Sequence, residues 1–269
     1  MRDLDSGRVR AVVRKELRDY RRKRSIVVTM AVLPVVFLIE PVVSIFAAPT
    51  FASSSAAAKY VVVPMLYMLL IPVIVPATLA AYSIAGEREQ GTLEPLLTTP
   101  IRQQEFIFGK ALAVIIPAVA LSYSVFALFL LAVWLFANSS ISAVVFQQGP
   151  ILLALALFAP LLAGWAVVVG MAISVRASEI RVAQQLGTLA SFPPLGVIVL
   201  LAIGVVHPTF TVALEFAAGL LVGDLLILRA VSAMFDRERL VTGAKAVRAS
   251  RRRVDPAVPA VTAIPEGRM

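Results

Sequence analysis

The sequence predicts an all-α integral membrane protein: six transmembrane helices, with an amphipathic helix ahead of the first span and a structured loop between the second and third. Three observations predict it. Of the 269 residues, 59% are hydrophobic and only 15% charged, whereas a soluble domain carries about 25% charged residues. Apolar stretches long enough to cross a hydrocarbon core of about 30 Å, which takes ~20 helical residues, recur along the chain. Lys and Arg gather in alternate connections, the signature of a fixed orientation across a bilayer.

Composition also excludes whole classes of chemistry. Cysteine is absent and histidine occurs once, at His207. Disulfides, thiolate metal sites and cysteine nucleophiles are thereby ruled out, and a zinc site or a Ser-His-Asp triad has almost no material to be built from. No metal site and no catalytic residues are expected. The formal charge of +9 would suit a nucleic-acid binder, but the placement of the cations accounts for it without one.

Taken in order, residues 1–25 are basic and amphipathic. Val9, Val12, Val13, Leu17 and Tyr20 fall at helical spacing on one face, while Arg10, Arg14, Lys15, Arg18, Arg21 and Arg22 take the rest. Such a helix lies on a membrane surface and is drawn to anionic lipid at about 1 kcal/mol per cation, or it also touches a cytosolic partner. The basic region is too long, and the following apolar run too extended, for a cleavable signal. Six spans then fit residues 26–48, 60–85, 108–137, 150–175, 185–206 and 211–233. Lipid leaves no backbone group unpaired, so each is a helix. Residues 26–235 thus form the membrane domain, and 236–269, with the basic run Arg251 to Arg253 and Pro256, Pro259 and Pro265, read as a largely disordered basic tail.

Ten Lys and Arg precede Ile26, three follow the second span (Arg88, Arg102, Lys110), two follow the fourth (Arg176, Arg181) and nine lie from Arg229 onward. Lys59 alone falls on the opposite side. Cations resist translocation, so both termini are expected in the cytoplasm of a plasma-membrane protein. Prolines 34, 41, 64, 72 and 76 inside the first two spans predict bent helices.

The connection between the second and third spans reads Gly86-Glu87-Arg88-Glu89-Gln90-Gly91-Thr92-Leu93-Glu94-Pro95-Leu96-Leu97-Thr98-Thr99-Pro100. Thr92 suits an N-cap, Glu94 the first turn against the helix dipole, and Pro95 a position still early enough to be tolerated. Pro100 stops that helix and, with Thr99, starts the next. The expected product is a short helix at the membrane surface, apolar at Leu93, Leu96 and Leu97. It either anchors the loop or passes force from a soluble partner.

This stretch, followed by Phe108-Gly109-Lys110, resembles the signature of ABC type 2 transporter permeases. Ala177 to Leu186, Phe235-Asp236-Arg237-Glu238 and the basic start near Lys15-Glu16-Leu17 extend the likeness over most of the chain. The resemblance implies the permease subunit of an ABC exporter, pairing with a second copy in a homo- or heterodimer. Each copy would dock on a cytosolic ATPase, two per complex, through a coupling helix in the 86–110 loop. Glu87 and Glu94 would contact that ATPase or brace the loop, and Gly91, Thr92 and Pro100 would shape it. The chain has no G-x-x-x-x-G-K-[ST] phosphate loop, so ATP and Mg²⁺ belong to the partner and the chain is not itself an enzyme.

Three carboxylates stand in or near the spans, where an ionised group costs about 2.5 to 3.5 kcal/mol. Asp224 is deepest and suits a pathway or interface site for substrate, cation or gating, or a polar contact between helices. Glu40 and Glu215 lie nearer the outer surface, within reach of water or of Lys59. Gly219 and Gly223 form a small-xxx-small pair for helix packing. Tyr60, Tyr67, Trp134 and Trp165 read as interfacial anchors or packing groups. These carboxylates sustain the competing functions: a stand-alone secondary transporter or channel, or a membrane enzyme using a carboxylate pair. An ABC-like complex that transmits force in metal-site maturation would share the same permease.

Overall fold

The computed structural model describes residues 5–47, 54–89, 91, 102–177 and 179–234, and every regular element among them is helical. The short helix expected from Thr92, and the tail from residue 235, lie outside the described residues. The first element, α1 (Ser6–Arg22), starts where the Asp5 carboxylate accepts the Gly7 N–H at 2.9 Å and ends with Arg21 and Arg22 in its last turn. Both charges oppose the helix dipole favourably. Lys23 turns the chain into α2 (Arg24–Phe46), the first span, whose sides are largely exposed.

The second span is not one smooth helix. It runs as α3 (Ser54–Tyr67), a 3₁₀ turn at Met68–Leu70, α4 (Ile71–Tyr82) and the five-residue α5 (Ala85–Glu89). The break has a cause in Pro72, which has no N–H to give to the Met68 carbonyl. That carbonyl instead takes the N–H of Ile71 in a tighter turn.

The third span, α6 (Gln103–Phe136), is followed by α7 (Ser139–Gln147), a short helix that the hydrophobic pattern does not single out, held by buried Ile141 and Val145. The fourth span is α8 (Gly149–Arg176). The fifth departs from the expected continuous stretch 185–206. It is a pair, α9 (Ile180–Ala190) and α10 (Pro193–Ala202), bent by 42°. Pro194 cannot donate to the Ala190 carbonyl, and the indole N–H of Trp165 fills that place at 3.4 Å. Trp165 is therefore a packing group that patches a proline break. The last span is α11 (Phe210–Met234), with Thr209 Oγ1 accepting the Val212 N–H at 3.2 Å.

Among the described residues five stretches are long and apolar enough to cross a membrane, α2, α6, α8, α11 and the run from Tyr60 to Glu87, or six if the bent pair is one span. The bundle is organised around α8, which packs on α4, α6, α9 and α11. A close contact is made at Gly170, where a Cβ would stand 2.7 Å from the Cβ of Ala80 on α4. Helices approach this closely only where one lacks a side chain.

Candidate functional site

The amphipathic pattern of α1 has a polar interruption. Val9, Val12, Glu16 and Tyr20 are its buried residues, so a carboxylate occupies the middle of the inward face. That face rests on α6, where Val12 meets Gly109 so closely that a Cβ there would stand 2.8 Å from the Val12 Cβ.

Opposite Glu16 stands Lys110, a cation that the charge count above assigns to a loop and that the structure buries completely. Its ammonium donates to Glu16 Oε1 at 3.1 Å and to the Ser83 carbonyl at 2.6 Å, and forms an ion pair with Glu87 Oε1 at 3.0 Å. Hydrogen bonding and pairing of this kind are what make a buried ammonium tolerable. Lys15 lies across from it, 2.9 Å from Glu16 Oε1 and 2.8 Å from Glu87 Oε1, with Asp19 at 3.4 Å. Two lysines and two glutamates therefore alternate in a closed, charge-balanced ring that ties α1, α5 and α6 together.

The electrostatics follow from this ring. Burial alone would raise the Glu16 carboxyl, but the Lys110 and Lys15 ammoniums outweigh it and hold the value below the ordinary 4.5. Burial opposes the charge on Lys15, yet hydrogen bonding to Glu87 and attraction to both glutamates raise it above 10.5. Tyr20, buried beside these carboxylates, is pushed well above 10 by burial first and by Glu16, Glu87 and Asp19 second, so its hydroxyl stays protonated.

A carboxylate whose folded value is lowered adds stability that is complete above its unfolded value and fades as pH falls through the folded one. The thermal midpoint of the purified protein should accordingly drop as pH is taken below 4.5. Part of that drop should vanish in Glu16→Gln. An identical pH profile in the variant would show that Glu16 does not carry it.

Two further contacts complete the junction. Glu105 is buried in the first turn of α6, where its carboxylate accepts the N–H of Arg102 at 2.9 Å and that of Asp5 at 3.2 Å, with Arg8 at 3.5 Å. It fastens the start of α1 to the start of α6. On α5, Ala85 donates its N–H to Ser174 Oγ of α8 at 2.9 Å, and Glu89 Oε1 accepts the Ile180 N–H at 2.7 Å, capping α9. One five-residue helix thus touches α1, α6, α8 and α9 just where the chain leaves for residues 90–101.

Among the residues singled out from sequence, Glu87 sits in the ring and Gly91 takes φ +64°, in the left-handed region that glycine favours. Thr92, Glu94 and Pro100 lie outside the described residues. The structure does not bring the three membrane carboxylates together. Glu40 and Glu215 are exposed on the flanks of α2 and α11, and the Lys59 side chain is outside the described set. Gly219 faces open space, whereas Gly223 receives the ring of Trp165, and Asp224 lies against Gly164 of α8. Lys15, Glu16, Glu89, Glu105 and Lys110 are not among the site residues that the sequence points to. Their signal is charge at helical positions that should be apolar, at Glu16 on the face of α1 and at Lys110 on entry to α6.

No curated protein matches the chain. Residues 10–235, from within α1 to the end of α11, match the family described as ABC-2 family transporter protein, a span that contains the four-residue ring and the candidate membrane-crossing helices. The chain is a multi-pass membrane protein and belongs to the ABC-2 family of transporter permeases.

Proposed function

We propose that this chain is the membrane-spanning subunit of an ATP-driven exporter in the plasma membrane. Two copies form the pathway and each takes force from a separate cytosolic ATPase through the loop 86–110. One observation carries the reading: the four-residue ring joins the surface helix α1 to both ends of that loop, at Glu87 where it leaves and at Lys110 where it returns. A loop that only connected two spans would need no such fastening, whereas one that relays motion must move with rigid elements. A push on residues 90–101 would reach α1 and α6 through the ring, α9 through Glu89 and α8 through Ser174. Both termini then face the cytoplasm, in keeping with the basic segments.

The test is co-expression with an ABC ATPase from the same genome, followed by purification and measurement of ATP hydrolysis. The ATPase should co-purify, and Glu94→Ala should lower its retention or its stimulated activity. Glu87→Gln should leave binding intact but reduce stimulation several-fold, because the loop docks and its motion is not relayed. A folded, monodisperse permease that binds no ATPase would sink the reading.

A further inference from the structure

On α11, Gly223 and Asp224 meet Gly164 and Trp165 of α8 as an exchange of large for small. Trp165 fills the space over Gly223, its ring 3.2 Å from where a Cβ would stand, and the Asp224 carboxylate fills the space over Gly164, with Oδ2 at 2.8 Å from a Cβ placed there. Gly164 is sixteenth of the 28 residues of α8, and Asp224 fifteenth of the 25 of α11, so the contact lies at the middle of both spans. One of the two carboxylate oxygens is left without a partner: Oδ1 is shut off from solvent and has no hydrogen-bond partner among the described residues.

The charged groups around it do not answer the need. Arg176, the only charged residue of α8, is twelve residues from Gly164, roughly 18 Å along the axis at about 1.5 Å per residue. Arg229 on α11 has contacts of its own, Glu215 carries the wrong sign, Arg181 of α9 lies near the far end from Trp165, and α10 has no charge. No His, Asp or Glu group among the described residues could hold a metal ion. Leu221, Val222, Leu225 and Leu226, the neighbours of Asp224 on α11, are all exposed.

We propose that Asp224, seated on Gly164 beside Trp165, is the anionic half of a mid-membrane site for a lipophilic ammonium ion. The chemistry selects the class. A carboxyl without a partner in an apolar wall is neutralised by a proton or by a donor bearing positive charge, and a bound ammonium supplies the second. The exposed apolar residues Leu221, Val222, Leu225 and Leu226 beside Asp224 suit a molecule that arrives through the bilayer with an alkyl or aryl body. The neighbouring indole adds an aromatic surface for that cation. That such an ion is the transported substrate rests on the exporter reading, while the binding itself does not.

The experiment uses the full chain in phosphatidylcholine nanodiscs, with Trp134→Phe leaving Trp165 as the only tryptophan. The probe is dodecylammonium carrying a nitroxide, which quenches tryptophan fluorescence on contact, and its control is the nitroxide-bearing dodecanol. The ammonium probe should quench Trp165 saturably, and the alcohol only in linear proportion to its partitioning. Asp224→Asn, which keeps the shape of the contact, should weaken the ammonium probe at least tenfold, with Asp224→Glu recovering part of the loss. Saturation that is unchanged by Asp224→Asn, or shared by the alcohol, overturns the proposal and leaves Asp224 a packing group between two helices. Because no ATPase is present, failure here and failure of the exporter reading are separate results.

Discussion

Replacing Lys110 by methionine should lower the free energy of unfolding by about 3–5 kcal/mol, the scale on which a buried ion pair fails when one partner is removed. The geometry sets the size. Lys110 is fully buried and bridges Glu16, Glu87 and the Ser83 carbonyl. Without it, two carboxylates packed away from water would share the single ammonium of Lys15, and the Ser83 carbonyl would lose its donor. Methionine keeps most of the length of the side chain, so the loss measures charge rather than volume. Unfolding by denaturant in detergent, followed by helical signal, reads the change. Tryptic cleavage in α1, at Arg14 and Arg18, should accelerate with it, because α1 is held to α6 by this ring. The double variant Lys110→Met with Glu16→Gln restores one positive and one negative charge and should recover a good part of the loss. A change below about 1 kcal/mol, the range of exposed pairs, would mean that water reaches the ring and that it is no structural fastening.

How much of this is legible in the sequence depends on which physical signal each feature leaves. The spans are legible because about twenty apolar residues in a row have one common explanation in a chain with so few charges. The bend at residues 191–192 is not, since Pro193 and Pro194 stand within an apolar run and the compensating donor, Trp165, lies 25 residues away in sequence. The inward face of α1 is half legible. Val9, Val12 and Tyr20 follow the period, but Glu16 between them is sensible only when Lys110 is seen opposite, 94 positions on. Counting Lys110 among the loop cations gives it a wet environment, and the structure gives it a dry one. Glu87 can be picked out because the motif around it is long, whereas Glu89, two residues further, shows its part only when the N-terminus of α9 is placed on it. Asp224 is conspicuous as a charge in a span, but its niche on Gly164 belongs to another helix and no pattern within α11 foretells it.

The second large effect is expected at Gly170, and it separates two glycines that sequence alone treats alike. On α8, Gly170 faces Ala80 of α4, and a Cβ at that position would fall 2.7 Å from the Ala80 Cβ, with the Ala77 carbonyl at 3.6 Å. The Ala80 Cβ is fixed to its backbone and cannot swing aside, so relief requires α4 and α8 to move apart. Gly187 of α9 packs into the same crossing, but a Cβ there would have its nearest neighbour, the Cα of Gly170, at 3.5 Å, an ordinary contact. Overpacking in a dense interior costs about 1–3 kcal/mol, against a gain of up to about 1 kcal/mol when alanine replaces glycine in a helix. The net should be a loss of about 1–2 kcal/mol for Gly170→Ala, a larger one of about 3 kcal/mol for the branched Gly170→Val, and little change or a small gain for Gly187→Ala. Ala80→Gly should cost less in the Gly170→Ala background than in the parent, because there it also removes the opposing methyl and its overpacking, a coupling that a general weakening of α8 would not produce. Thermal unfolding of the parent and these variants decides it. Should Gly170→Ala be as well tolerated as Gly187→Ala, α4 and α8 are not in the close contact that organises the bundle, and the rigid connection from the loop junction through Ser174 into α8 would lose its physical basis.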